Sequence, residues 1–179
     1  MHIEKTFIKD LLIISPNIFN DNRGYFLESY NKNNLATILN VEFVQDNESM
    51  SQKNVLRGLH FQKPTYAQGK LVRVITGSVL DVAVDLRKRS ATYGHHFKHV
   101  LSAENKNQLY IPEGFAHGFL VLENNTIFSY KCTDYYHKES ENSILWDDPS
   151  LKINWGIKDP IISEKDKNAQ LFANFKSPF

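Results

Sequence analysis

Two short stretches hold the residues whose types could do chemistry. Arg57-Gly58-Leu59-His60-Phe61-Gln62 sets a histidine inside an apolar run, and Gln68-Gly69-Lys70-Leu71-Val72-Arg73-Val74 opens the next apolar run with a lysine. Imidazole is the one side chain whose ordinary pKa lets it exchange protons near neutrality, and a buried ammonium is a compact positive charge for a developing oxyanion. The pair suggests proton abstraction next to a carbonyl. Each residue also has a plainer reading. A lone strand histidine is commonly a satisfied core or surface residue, and a lysine at a strand start is commonly solvated.

A third motif adds weight. Pro112-Glu113-Gly114-Phe115-Ala116-His117-Gly118-Phe119 puts a proline, a glycine turn and a second histidine just after an apolar segment. It reads as a rigid turn capped by a histidine, or as half of the metal-binding signature of cupin barrels. The other half, H-x-H with a following glutamate, is missing. The next charged strand position after His60 is Lys70, a cation that would repel a metal. The chain therefore reads as a cupin-shaped barrel in which a base and an ammonium replace metal ligands. His95-His96-Phe97-Lys98-His99 has no acidic or cysteine partner at ligand spacing and reads as a solvated strand. Asp147-Asp148 before Pro149 reads as a turn.

Positioning these residues falls to strands. The 179 residues predict one domain, residues 1–179, and aromatic residues at 12% favour sheets and stacking surfaces. Short apolar runs punctuated by turn residues predict strands over 11–15, 25–30, 41–45, 55–61, 70–75, 79–85, 96–101, 107–111, 119–122 and 126–132, with 70–75 and 79–85 as a hairpin. In 79–85 one face is apolar and the other carries Asp81 and Asp85. Short helices are expected over 32–39 and 166–171 only. The rhythm is that of an all-β protein, a sandwich or jelly-roll barrel with a pocket in its mouth and few short peripheral helices. A net charge of +1, from 21 basic and 20 acidic side chains, gives no electrostatic case for nucleic acid or a membrane surface. With a single cysteine, Cys132, and an N-terminus that lacks a signal-peptide pattern, a cytoplasmic location is expected.

Seven motifs in order resemble the dTDP-4-dehydrorhamnose 3,5-epimerase family. They are Arg23 to Tyr30, Gln45-Asp46-Asn47, Arg57 to Gln62, Ala67 to Val72, Asp81 to Asp85, Pro112 to Phe119 and Tyr130 to Tyr136. Trp146-Asp147-Asp148-Pro149 and Ile162 to Asp166 extend the match, which runs from about Phe7 to about Asp166. Two departures lie beside the site: Phe61 stands where tyrosine is usual, and Thr65-Tyr66 where proline and histidine are common.

The resemblance implies a cupin-like jelly roll working as a homodimer whose N-terminal strands cross to the partner. It implies His60 as general base, Asp166 as its orienting carboxylate, Lys70 beside the C4 keto oxygen, and Tyr130 as the acid on the opposite face. The implied substrate is a dTDP-4-keto-6-deoxyhexose inverted at C3 and C5, with no cofactor and no metal. For the nucleotide it implies Arg23, Glu28, Gln45, Asn47, Arg57, His117, Glu141 and Lys165, with Tyr136 and Phe26 as aromatic surfaces for thymine. No Walker loop or G-x-G-x-x-G is present, so side chains must bind the diphosphate. Inversion at C3 alone, or 3,4-ketoisomerisation of a related sugar, are the alternative reactions.

Overall fold

The computed structural model describes residues 1–179. In chain order the strands are β1 (His2–Lys5), β2 (Leu12–Ser15), β3 (Ile18–Asp21), β4 (Gly24–Leu27), β5 (Gln45–Ser51), β6 (Leu56–Gln62), β7 (Lys70–Thr76), β8 (Ser78–Asp85), β9 (His96–Ser102), β10 (Gln108–Ile111), β11 (Phe115–Val121), β12 (Thr126–Cys132) and β13 (Glu141–Ser143). Two α-helical turns complete the set, α1 (Lys32–Ala36) and α2 (Glu164–Lys167). A six-stranded sheet in the order β1-β2-β10-β7-β12-β5 faces a five-stranded sheet in the order β13-β6-β11-β8-β9. β3 and β4 form a separate hairpin. The expected all-β jelly roll is present as two facing sheets, not as a ring of strands closed by hydrogen bonds.

Inward side chains of the two sheets make the central core, in which Val72, Val74, Ile111 and Phe128 meet Val79, Ala83, Phe115 and Phe119. Apart from the small Ala83, each such side chain contributes roughly 1.5–3 kcal/mol relative to exposure. The outer face of the five-stranded sheet is covered by the C-terminal segment, where Leu59, Phe61, Val82 and Val84 pack with Ile144, Leu151 and Trp155. Leu35 and Leu39, on α1 and just past it, cover Leu12, Ile14 and Leu71 on the back of the other sheet.

Four expectations need correction. β7 and β8 do not form a hairpin, because they belong to different sheets. Gly77 turns the chain between them at φ +77°, where an added Cβ would collide with Thr126 Oγ1. Residues 41–44 form no strand; the strand is β5, whose polar sequence alternates between half-buried and exposed positions. The strand expected at 119–122 begins earlier, at Phe115, directly after the Gly114 turn. The helix expected at 166–171 starts at Glu164, because Ser163 caps it by accepting from the Asp166 N–H at 3.2 Å. The two-faced reading of 79–85 holds, but both faces are buried: the apolar face lies under the C-terminal segment and the carboxylate face looks inward.

Candidate active site

β6 points His60 and Gln62 between the sheets while Leu59 and Phe61 pack outward, as strand alternation requires. His60 Nε2 lies 2.6 Å from Oδ1 of Asp166, a side chain only 4% exposed. The Ser163 cap fixes the Asp166 backbone, and the Gly58 N–H donates to the carboxylate Oδ2 at 3.5 Å. Burial pushes the Asp166 carboxyl up, but the hydrogen bond and charge of His60, with the Gly58 and Ser163 bonds, outweigh it and hold it below its ordinary range. An ionised Asp166 fixes the proton on Nε2 and leaves Nδ1 as the base.

The facing groups come from the other sheet. Lys70 starts β7 and Tyr130 lies on neighbouring β12, in register with Val72. Lys70 Nζ sits 5.8 Å from the centre of the Tyr130 ring and forms no ion pair with a carboxylate. Burial lowers the Lys70 pKa, opposed by the charges of Cys132, Asp81 and Glu141. Burial likewise raises the Tyr130 hydroxyl, so the phenol keeps its proton across the neutral range. A cavity of about 270 Å³ is lined by His60, Lys70 and Tyr130 together with Gln45, Asn47, Tyr136 and Glu141. A second recess of about 150 Å³ shares His60, Lys70 and Tyr130 and adds Arg57 and His117.

His117 pairs with His60 across β11 and β6. Their backbones approach closely because Gly58, at φ +128°, has no side chain; a Cβ there would meet Gly118 Cα and lie 2.7 Å from the His117 carbonyl oxygen. His117 Nε2 bonds Asp81 Oδ2 at 2.9 Å, so a second histidine–aspartate pair lies behind the first. Burial lowers the His117 pKa, with Asp81 opposing and Lys70 and His60 reinforcing, which keeps the ring neutral. Asp81 is fully buried and its Oδ1 has no partner.

At the cavity rim, Lys165 Nζ contacts Glu141 Oε2 at 2.5 Å and the Tyr136 hydroxyl donates to the same oxygen at 2.9 Å. Burial raises the Glu141 carboxyl, but these two bonds outweigh it and lower the net value. Thus His60, Lys70, Tyr130, Asp166, Gln45, Asn47, Arg57, His117, Tyr136, Glu141 and Lys165 converge. Arg23, Phe26 and Glu28 do not. Arg23 is 85% exposed and pairs with Asp21 on the β3–β4 hairpin. Phe26 is likewise exposed there, and Glu28 accepts from Asn34 beside α1.

Sequence reasoning missed Gln62, Gln68 and Asp81. Gln62 follows the base by two residues and so shares its face, and Asp81 lies on the carboxylate face of β8 that turns inward; both were findable from strand period alone. No three His, Cys, Asp or Glu side chains gather as a metal site would require.

Such a site on a jelly roll belongs to an isomerase that moves protons at carbon next to a carbonyl. A family model described as dTDP-4-dehydrorhamnose 3,5-epimerase matches residues 5–174. The chain is 52% identical to the dTDP-4-dehydrorhamnose 3,5-epimerase of Shigella flexneri over 97% of both chains. Among solved structures it resembles the dTDP-6-deoxy-D-glucose-3,5-epimerase of Legionella pneumophila in complex with dTDP-4-keto-L-rhamnose, with a TM-score of 0.94 and 49% identity over 98% of this chain and 94% of that one. The Bacillus anthracis dTDP-4-dehydrorhamnose 3,5-epimerase with TDP and PPi bound gives a TM-score of 0.94 at 44% identity, covering 96% and 99%. The chain belongs to the dTDP-4-dehydrorhamnose 3,5-epimerase family.

Proposed function

We propose that this protein converts dTDP-4-dehydro-6-deoxy-D-glucose to dTDP-4-dehydro-L-rhamnose by inverting C3 and C5, for deoxysugar or surface-glycan synthesis. A C–H bond is acidic only where the carbanion can spread onto a carbonyl, which in this sugar means the two carbons flanking C4. His60 Nδ1 takes the proton from one of them, and the electron pair moves to the C4 oxygen. The Lys70 ammonium stabilises that enolate, for either carbon, because the same oxygen collects the charge each time. Tyr130 then returns a proton to the opposite face of the carbon. Exchange with water resets the protonated imidazole and the phenolate before the second inversion.

The observation that carries this reading is that His60 and Tyr130 come from opposite sheets to one cavity, which Lys70 also lines from the Tyr130 side. Gln45, Asn47, Arg57, His117, Glu141 and Lys165 bind the sugar and diphosphate, and Tyr136 stacks on the base. Arg23, Phe26 and Glu28 serve the site of a second copy: the hairpin that carries Arg23 and Phe26 exposes Ile18, Phe19, Tyr25 and Phe26, the surface expected of a strand pair that packs on a partner. The working form is therefore a homodimer of single-domain chains. A buried free thiol, Cys132, suits the reducing cytoplasm.

Incubation with dTDP-4-keto-6-deoxyglucose in deuterium oxide, followed by proton NMR, tests the reading. Deuterium at both C3 and C5 with L-configured product is expected. Entry at C3 alone makes the protein a 3-epimerase, and migration of the carbonyl makes it a ketoisomerase.

A further inference from the structure

One buried glutamine ties together both lips of the cavity. Gln62 is 5% exposed and sits two residues past the base. Its Nε2 donates to the Tyr66 carbonyl at 2.6 Å and the Tyr135 carbonyl at 3.1 Å, and its Oε1 accepts from the His137 N–H at 2.6 Å. Both donor hydrogens thus go to backbone groups of the two loops that bound the cavity, residues 63–69 and 133–140.

Further stitches join the same loops. Gln68 Nε2 donates to the Asp134 carbonyl at 2.7 Å, and the Gly69 N–H donates to Thr133 Oγ1 at 2.8 Å. On the outside the Tyr66 ring stacks on His137 with centroids 3.9 Å apart and planes within 3°. Only Gln62 links both loops to the strand that bears the base.

Tyr136 lies between the two backbone groups of 135 and 137 that Gln62 holds. Its N–H donates to Gln45 Oε1 at 2.9 Å and its hydroxyl to Glu141 at 2.9 Å. A shift of this loop would therefore move three proposed substrate contacts together. It would leave the Asp166 partner of His60 in place, because that carboxylate arrives from α2 on a different segment.

We propose that Gln62 is a positioning residue for the nucleotide end of the site: by clamping the backbone on both sides of Tyr136 it sets substrate affinity, and the proton transfers do not depend on it. This rests on the reading that Tyr136 stacks on the base of a dTDP-sugar. Buried amide bonds to backbone are suited to the task, since losing a donor strands a buried carbonyl.

Gln62→Glu keeps the shape and the acceptor but loses the donors while ionised. At pH 8 it is expected to raise both the dTDP Kd, measured by calorimetry, and the substrate KM about tenfold or more, with kcat within threefold of wild type. As pH falls and the new carboxyl regains a proton, one donor returns and the variant's Kd moves back toward the wild-type value at the same pH. Gln62→Leu is expected to show the rise without that recovery, which a merely structural loss would not distinguish. Should Gln62→Glu not fold, Gln62→Asn, with its amide one methylene short, carries the same Kd comparison. A folded variant with Kd and KM within twofold of wild type, or with kcat reduced at unchanged KM, overturns the proposal. Wild-type protein that binds dTDP but exchanges no deuterium sinks the epimerase reading and leaves the Kd values to decide this one; wild-type protein that does not bind dTDP overturns both.

Discussion

His60 and Asp166 are 106 positions apart in sequence, yet their side chains meet at 2.6 Å between strand β6 and a four-residue helix. The contact fixes which imidazole nitrogen is free. Asp166→Asn keeps the shape but can favour the wrong tautomer, so we expect kcat to fall by on the order of a hundredfold to ten-thousandfold while the protein stays folded. Steady-state assays with circular dichroism check both halves of that statement.

The same carboxylate sets an acid limit. Its folded pKa lies below the ordinary 3.8, so the stability it contributes is complete above the unfolded value and is lost as pH falls through the lower, folded one. Thermal melts below pH 4 should decline more gently in Asp166→Asn than in wild type.

Lys70 has the opposite effect on stability. The unfolded chain holds this proton up to 10.5, but the buried ammonium gives it up lower, so stability rises with pH between the two values. Lys70→Met removes a charge that no carboxylate pairs. We expect it to melt higher than wild type at pH 7, by about 2–4 °C for each kcal/mol regained, and to lose deuterium exchange at both carbons. A lower melting temperature would count against an uncompensated ammonium.

Tyr130→Phe removes the proton donor and leaves the ring. Exchange driven by His60 should continue, because the imidazolium can return a deuteron to the face it stripped, while inversion should suffer at both carbons. Chiral analysis of the product decides this, and an unchanged stereochemical outcome would remove Tyr130 from its role.

Gly58→Ala should be costly although position 58 offers no side chain to the cavity. The backbone there has φ +128°, and the added methyl would collide with Gly118. A loss of about 1–3 kcal/mol in chemical denaturation is expected from the strain alone.

Much of this site was legible in the sequence because β6, β7 and β12 are short apolar runs bounded by turn residues, although a register shift near Gly58 breaks the alternation of β6. His60, Lys70 and Tyr130 could be placed on strands from the pattern. The hairpin between 70–75 and 79–85 was misread because a glycine turn between two apolar runs looks the same whether the strands pair or part to different sheets. β5 escaped because Gln45-Asp46-Asn47-Glu48-Ser49 has no apolar alternation; its inward residues line a polar cavity instead of a core. Asp166 came from resemblance alone, since periodicity says nothing of a contact across 106 positions. The Asp81–His117 pair needed the register of β8 beside β11, which no single strand reveals.

Asp166 reaches the base from outside either sheet. Its helix is anchored upstream by two backbone bonds, Ile161 to Asn54 at 2.8 Å and Leu56 to Ile161 at 2.9 Å, and by a single serine cap. On its other side Lys165 pairs with Glu141, the Leu145 N–H donates to the Gln170 carbonyl at 2.9 Å and the Phe172 N–H donates to Asp148 Oδ2 at 2.7 Å. The base therefore owes its orientation to a stretch of chain that belongs to neither layer, buttressed on both flanks by the strands it serves.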